Sequence, residues 1–149
     1  MSGPKFHQPP RFNHVALSLP ADALDAHGRA AIIDFYGDVF GFEEYPEMTK
    51  DRAQLVLRVH THEQFLFLVS DDEPMRAPRM DHVGLSVSSV EEFDEVARRA
   101  ASWKERFPDE VDLIEPTSEV FADLLRLHSF YVGYRLPIMV ELQYFEFLA

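Results

Sequence analysis

The segment Asn13-His14-Val15-Ala16-Leu17-Ser18-Leu19 returns 68 residues later, counted from His14 to His82, as Asp81-His82-Val83-Gly84-Leu85-Ser86-Val87. Five of the seven positions agree in type: His, Val, Leu, Ser and a closing aliphatic. The offset is nearly half of the 149 residues. A repeat this long in a chain this short describes two copies of one supersecondary unit sharing a core, because a solenoid would need more and shorter repeats. Alternation along a strand puts His14, Ala16 and Ser18 on one face, and His82, Gly84 and Ser86 on the equivalent face of the second copy. Small neighbours leave space above the sheet beside each histidine.

Each copy reads as β-α-β-β-β. In the first, Phe12 to Leu19 is a strand stopped by Pro20, and Asp22 or Asp25 caps a helix running to Phe40. Ile32, Ile33, Phe35, Tyr36, Val39 and Phe40 form its apolar stripe, and Gly41 closes it. Strands follow at Phe42 to Met48, Gln54 to Val59 and Gln64 to Val69. Ser70 to Arg79, with its acidic and proline residues, has linker composition. The second copy opens at Met80. Ser88 or Ser89 caps a helix beginning Glu91-Glu92 and reaching about Phe107, and strands are expected near 111–116, 126–134 and 138–146. The domain plan is a flexible, proline-rich N-terminal arm over 1–11 and one domain over 12–147, with module one at 12–70, a linker at 71–79 and module two at 80–147.

The last strand holds an anomaly. From Ile138 to Phe145 the residues have the β-branched and aromatic content of a strand packed on both faces, yet Glu141 lies in the middle. An unpaired buried carboxylate costs several kcal/mol, roughly, so Glu141 requires a cation, a metal or a proton. A histidine alone near a strand start is usually a core or edge residue with one hydrogen bond. Two in register, joined by a buried glutamate, point to ligands for a metal. His60, His62 and Glu63 form a second histidine-carboxylate cluster, which reads as a solvated hairpin end or, alternatively, a second metal grip.

Composition removes several classes. A chain of this length buries well over half its unfolded surface, so folding needs no disulfide or structural metal. With no cysteine, thiolate catalysis and Cys-ligated zinc or iron–sulfur sites are excluded. The formal charge of −12 offers no basic stripe, which argues against nucleic acid and anionic membranes as partners. No run approaches the roughly 20 apolar residues of a membrane span, and no signal-peptide pattern opens the chain. A soluble cytoplasmic protein is the expectation, and an anionic substrate would need local arginines.

Taken together, the H-V-x-L-S strands, the helix with Asp34-Phe35-Tyr36 and Val39-Phe40-Gly41-Phe42, and the Val140-Glu141-Leu142 strand resemble the vicinal oxygen chelate superfamily. That group includes glyoxalase I, extradiol dioxygenases, methylmalonyl-CoA epimerase and bleomycin-resistance proteins. The resemblance covers Phe12 to Phe147 and implies an α+β fold in which tandem βαβββ modules form one open, cup-shaped mixed sheet with helices on the outside. It implies a divalent metal in the cup, held by His14, His82 and Glu141.

Phe67 departs from the pattern. Aligned on the first module, Glu141 falls opposite Phe67, which cannot ligate. Glyoxalase I-like enzymes use four protein ligands, whereas two histidines and one carboxylate match the ligand set of extradiol dioxygenases, with Fe(II) favoured and Mn, Zn or Ni as alternatives. In the dioxygenases a tyrosine ten residues before the glutamate helps hold the substrate, which is the place of Tyr131. Proximity suggests His128 as acid/base, with Tyr131 or Arg135 orienting an oxyanion, and Tyr134, Phe67 and Met139 lining the substrate site. The implied function is a metal-dependent, dioxygenase-like enzyme acting on a small molecule with vicinal oxygens. The alternatives are a lyase or isomerase of the glyoxalase I or epimerase type, and a non-catalytic drug-binding protein. Family members commonly pair as homodimers, and the apolar face of the first helix is the one hint of pairing here.

Overall fold

A computed structural model describes Gly3 and residues 8–148. The expected arm over 1–11 falls largely outside the described residues, and Gln8 to Asn13 form no helix or strand. Module one contains β1 (His14–Leu19), α1 (Ala26–Phe40), β2 (Glu43–Glu44), β3 (Gln54–Arg58) and β4 (Phe65–Ser70). Module two contains β5 (His82–Ser86), α2 (Val90–Arg106), β6 (Asp112–Phe121), β7 (Leu125–Gly133) and β8 (Met139–Phe147).

Local chemistry sets the helix ends. The Asp25 carboxylate accepts from the Gly28 N–H at 2.8 Å, satisfying a donor that the first turn of α1 leaves free. Gly28 must be glycine, since a Cβ would sit 2.1 Å from the Ala23 carbonyl oxygen. Gly41 ends α1 in the left-handed region, at φ 75°, with its N–H donating to Gly37. Ser89 Oγ accepts from the Glu92 N–H, and the Glu92 carboxylate accepts from the Ser88 N–H, a reciprocal cap for α2.

Two strands depart from expectation, and proline is involved in both. The strand expected over Phe42 to Met48 shrinks to Glu43–Glu44, because Pro46 has no ladder donor and opens a short 3-10 turn. The strand expected at 111–116 instead continues to Phe121, passing Pro116 through a register shift between Ile114 and Thr117.

The strands form two mixed four-stranded sheets, ordered β1-β4-β3-β2 and β5-β8-β7-β6. The expected continuous sheet is therefore divided in two. Among the described residues no ladder joins the sheets, so β1 and β5 are edge strands, each hydrogen-bonded on one side only. One face of each sheet is covered by helix. Leu17, Leu19, Leu55, Leu57, Leu66 and Leu68 are buried in module one; Phe130, Val132, Val140 and Leu142 are buried in module two. Each such side chain contributes about 1.5–3 kcal/mol of burial.

An aromatic joint couples the modules. Phe35 of α1 stacks on Tyr134 at 4.5 Å and meets Trp103 of α2 edge-on at 5.2 Å. The Tyr36 hydroxyl donates to the Tyr134 carbonyl at 2.8 Å, and burial pushes its pKa up, so it stays a neutral donor. Trp103 Nε1 donates to Asp38 at 2.7 Å. The apolar stripe of α1, read from sequence as a hint of pairing, is largely buried within the chain. No helix is long and apolar enough to cross a membrane.

Candidate functional site

Paired residues in a ladder point to the same face of a sheet, so the register spells out the open face of module two in rows. One row runs Ile114, Tyr131, Glu141, Gly84. The next row toward the start of β8 holds Asp112, Gly133, Met139 and His82; the row on the other side, toward the end of β8, holds Thr117, Ser129, Gln143 and Ser86. Glycine at 84 gives the carboxylate room, for a Cβ there would lie 3.7 Å from Glu141 Oε1.

Glu141 is only 5% exposed and is the one buried charged or polar residue among those described. Tyr131 stands opposite it in the ladder, and the neighbouring carboxylate, ahead of burial, holds the phenol above its ordinary pKa. Tyr131 is thus a neutral phenol beside a carboxylate. His82 closes the trio: its Nε2 lies 3.9 Å from Glu141 Oε1, and its ring meets Tyr131 edge-on at 5.1 Å. The Nδ1 of His82 is engaged with the Met80 carbonyl at 2.8 Å, so Nδ1 carries a proton and Nε2 is the nitrogen turned toward the carboxylate.

The donor set fits a divalent metal. One charge-assisted hydrogen bond would contribute about 1.5–3 kcal/mol, less than burying a carboxylate costs, so a cation beside Glu141 would supply the compensation. Donors sharing a metal with bonds near 2.1 Å sit about 3–3.5 Å apart, close to the 3.9 Å between His82 Nε2 and Glu141 Oε1.

His14 does not join them within one chain. Among the described residues, no three His, Cys, Asp or Glu side chains form a metal-holding group. His14 stacks on Phe65 with centroids 4.8 Å apart, and its Nδ1 is engaged by Asn13 Oδ1 at 2.7 Å, leaving Nε2 free. Register makes the modules equivalent residue by residue: Ala16 pairs Phe67 as Gly84 pairs Glu141, and His14 pairs Phe65 as His82 pairs Met139. Phe67 therefore stands in the carboxylate's place, as the sequence alignment expected.

The remaining predicted residues scatter. His128 lies on the opposite face of β7 from Tyr131, against Phe93 of α2, with Nε2 bonded to Glu146 at 2.7 Å. An acid/base role beside Glu141 is not available to it there. Tyr134 is 5% exposed inside the aromatic joint and does not face the Glu141 row. Met139 and Arg135, with an edge of Tyr134, line a cavity of about 250 Å³ beside that row. Glu63 pairs with Arg11 at 2.9 Å, and the Tyr45 hydroxyl donates to the His62 carbonyl, so this turn is tied into the surrounding chain. Sequence reasoning did not single out Gly133, where a Cβ would lie 2.6 Å from Met139 Sδ. A glycine opposite a buried methionine was the available signal.

Fold and site together define an α+β protein of tandem βαβββ modules with the architecture of the glyoxalase/bleomycin resistance/dioxygenase proteins. Among solved structures, it is similar to a glyoxalase/bleomycin resistance protein/dioxygenase family enzyme from Burkholderia phytofirmans (TM-score 0.60, 13% identity, covering 88% of this chain and 95% of that one). It is also similar to the fosfomycin resistance protein FosX from Listeria monocytogenes (0.60, 16%, 91% of each). A third is lactoylglutathione lyase from Agrobacterium tumefaciens (0.55, 18%, 91% and 93%). No family model matches the sequence, and no curated protein does.

Proposed function

We propose that the chain is a metal-dependent enzyme for a small molecule that chelates through adjacent oxygens, working at a site that two copies build. His82 and Glu141 of one copy and His14 of the other would hold the metal, which supplies Lewis acidity to the bound oxygens. The observation that carries this reading is the buried Glu141, paired with Tyr131 across the ladder and faced by Nε2 of His82 on an edge strand. Both β1 and β5 have an unpaired edge, and a strand edge bearing free N–H and C=O groups is a template for another strand. Laying β1 of one copy along β5 of the other would bring His14 to the pair and Phe65 and Phe67 to the opposite wall.

In this arrangement Tyr131 holds a proton beside the chelated oxygens, and the apolar wall sheds water from a ring or hydrocarbon portion. Two histidines and one carboxylate leave adjacent positions free, which favours Fe(II) and a ring-cleaving dioxygenase reaction on a vicinal diol. A lyase or isomerase reaction is the second reading. It is favoured by the position of His128, which leaves Tyr131 and Glu141 as the proton-handling pair.

Metal analysis of purified protein with its mass in solution tests the proposal. A dimer with about one metal per chain supports it. Iron with turnover of a catechol panel under oxygen selects the first reaction, and nickel or zinc the second. A monomer that takes up no metal would instead be a binding protein and would end the enzymatic reading.

A further inference from the structure

Beside the Glu141 row, the turn between β7 and β8 and the start of β6 border the open cavity of about 250 Å³, lined by Asp112, Gly133 and Met139 of the adjacent row and by Arg79, Glu110 and Arg135. The charges there balance, whereas the chain as a whole is acidic. Arg79 grips Asp112 through two bonds, 2.8 and 2.7 Å, and keeps that carboxyl below its ordinary range with help from Lys104. Lys104 itself donates to the Val111 carbonyl at 2.8 Å. Lining the cavity, two cations, Arg79 and Arg135, stand with two carboxylates, Asp112 and Glu110, in a chain of formal charge −12.

Arg135, an exposed cation whose guanidinium lies 5.6 Å from the Tyr134 ring centre, has no carboxylate partner among the described residues. Its Nε donates only a long 3.3 Å bond to the Tyr134 hydroxyl, and among the described residues neither terminal nitrogen has a hydrogen-bond partner. Its backbone is held at φ 56°, a left-handed conformation uncommon for a branched or long side chain. Strain of this kind persists where the surroundings over-determine it, and here buried Tyr134 and Ile138 anchor the two sides of the turn.

We infer that this cavity receives an anionic oxygen group, a carboxylate or a phosphate, at the end of the substrate, and that Arg135 determines specificity for it. The guanidinium fork matches such a group in a bidentate manner. Met139 and Gly133 lie one row from Glu141, about 6.6 Å along the strand, and Arg135 stands beyond them on the turn, so the substrate class is a small molecule whose anionic end reaches past that row, more than about 7 Å from its chelating oxygens. This deepens the proposed function and rests on chelation at His82 and Glu141.

The test uses full-length, metal-free protein, with inorganic phosphate and acetate titrated separately at constant ionic strength set by chloride, read by amide NMR. Expected are saturable shifts over residues 133–139 with one or both anions. Which anion binds more tightly names the end group. Arg135→Gln should weaken binding about tenfold or more, and Arg135→Lys, which keeps the charge, by less. Absence of saturation with both anions, or equal binding by Arg135→Gln, overturns the inference. Metal loading of the Arg135 variants is measured in parallel and should match wild type. A chain that binds the anion but takes no metal breaks the chelation reading alone, and one that loads metal but binds neither anion breaks this one alone.

Discussion

The two sheets have nearly the same wiring and opposite open faces. In module one, the face around His14 carries Ala16, Phe65, Phe67 and Val56; in module two, the matching face carries Gly84, Glu141 and Tyr131. The helix-facing sides remain alike, built of leucine, valine and aromatic residues in both. A duplicated unit thus keeps the face that holds the fold together and diverges on the face that meets a ligand. The change from phenyl to carboxylate at one register position separates an apolar wall from a metal-seeking one.

The largest expected effect tests the half that is shared. Leu68→Ala and Leu142→Ala, each at a buried, helix-facing position of the strand paired to a histidine strand, should both lose about 2–5 kcal/mol in denaturant unfolding. A negligible loss at one of them would break the equivalence of the two cores. Next comes the half that differs. Glu141→Gln keeps the size and the Tyr131 contact but removes the charge, and metal affinity should fall by more than about a hundredfold, or 2.7 kcal/mol, by isothermal titration. Phe67→Glu, on a half-buried position, should add a fourth donor and tighten the metal about tenfold. Unchanged affinity would mean that the two walls do not share a cup.

The smallest effect is a titration. The folded-state pKa of Tyr131 is raised above its unfolded value, so its stabilising contribution is fully present below about pH 10 and is lost as pH rises through the folded value. Ultraviolet titration should show a late-ionising tyrosine besides buried Tyr36, returned toward the ordinary value by Glu141→Gln. A Tyr131 that ionises with the rest would remove the carboxylate's hold on the phenol from the account.

Much of this was legible in the sequence, for identifiable reasons. The H-V-x-L-S repeat, the Asp25 and Ser89 caps and Gly41 are local signals, and each marks the element it predicted. Alignment of Phe67 on Glu141 followed from the repeat together with the fourth-strand ligand position that the resemblance implied. Other features depend on what lies across space. Tyr134 and Tyr131 are three residues apart and both aromatic, yet Tyr131 alternates onto the open face while Tyr134, past the strand end, turns into the joint with Phe35 and Trp103. His128 was placed near the site by sequence distance, but its odd offset from Tyr131 puts it on the helix side. The hairpin at Ala122 and Asp123 gave no glycine signal although both have positive φ. The division of the expected single sheet into two, with β1 and β5 left as edges, is a property of module docking that no local pattern encodes.

Mixing two inactive chains tests the shared site most directly. His14→Ala and Glu141→Ala homodimers each lack a ligand in every site. Unfolded together and refolded, they would form mixed dimers in which His14 of the Glu141→Ala chain meets His82 and Glu141 of the other. Metal bound per chain should then rise from near zero to about a quarter of the wild-type value, one complete site in half of the dimers. No recovery on mixing, in dimers shown by mass to have exchanged chains, would contradict a site built across two copies.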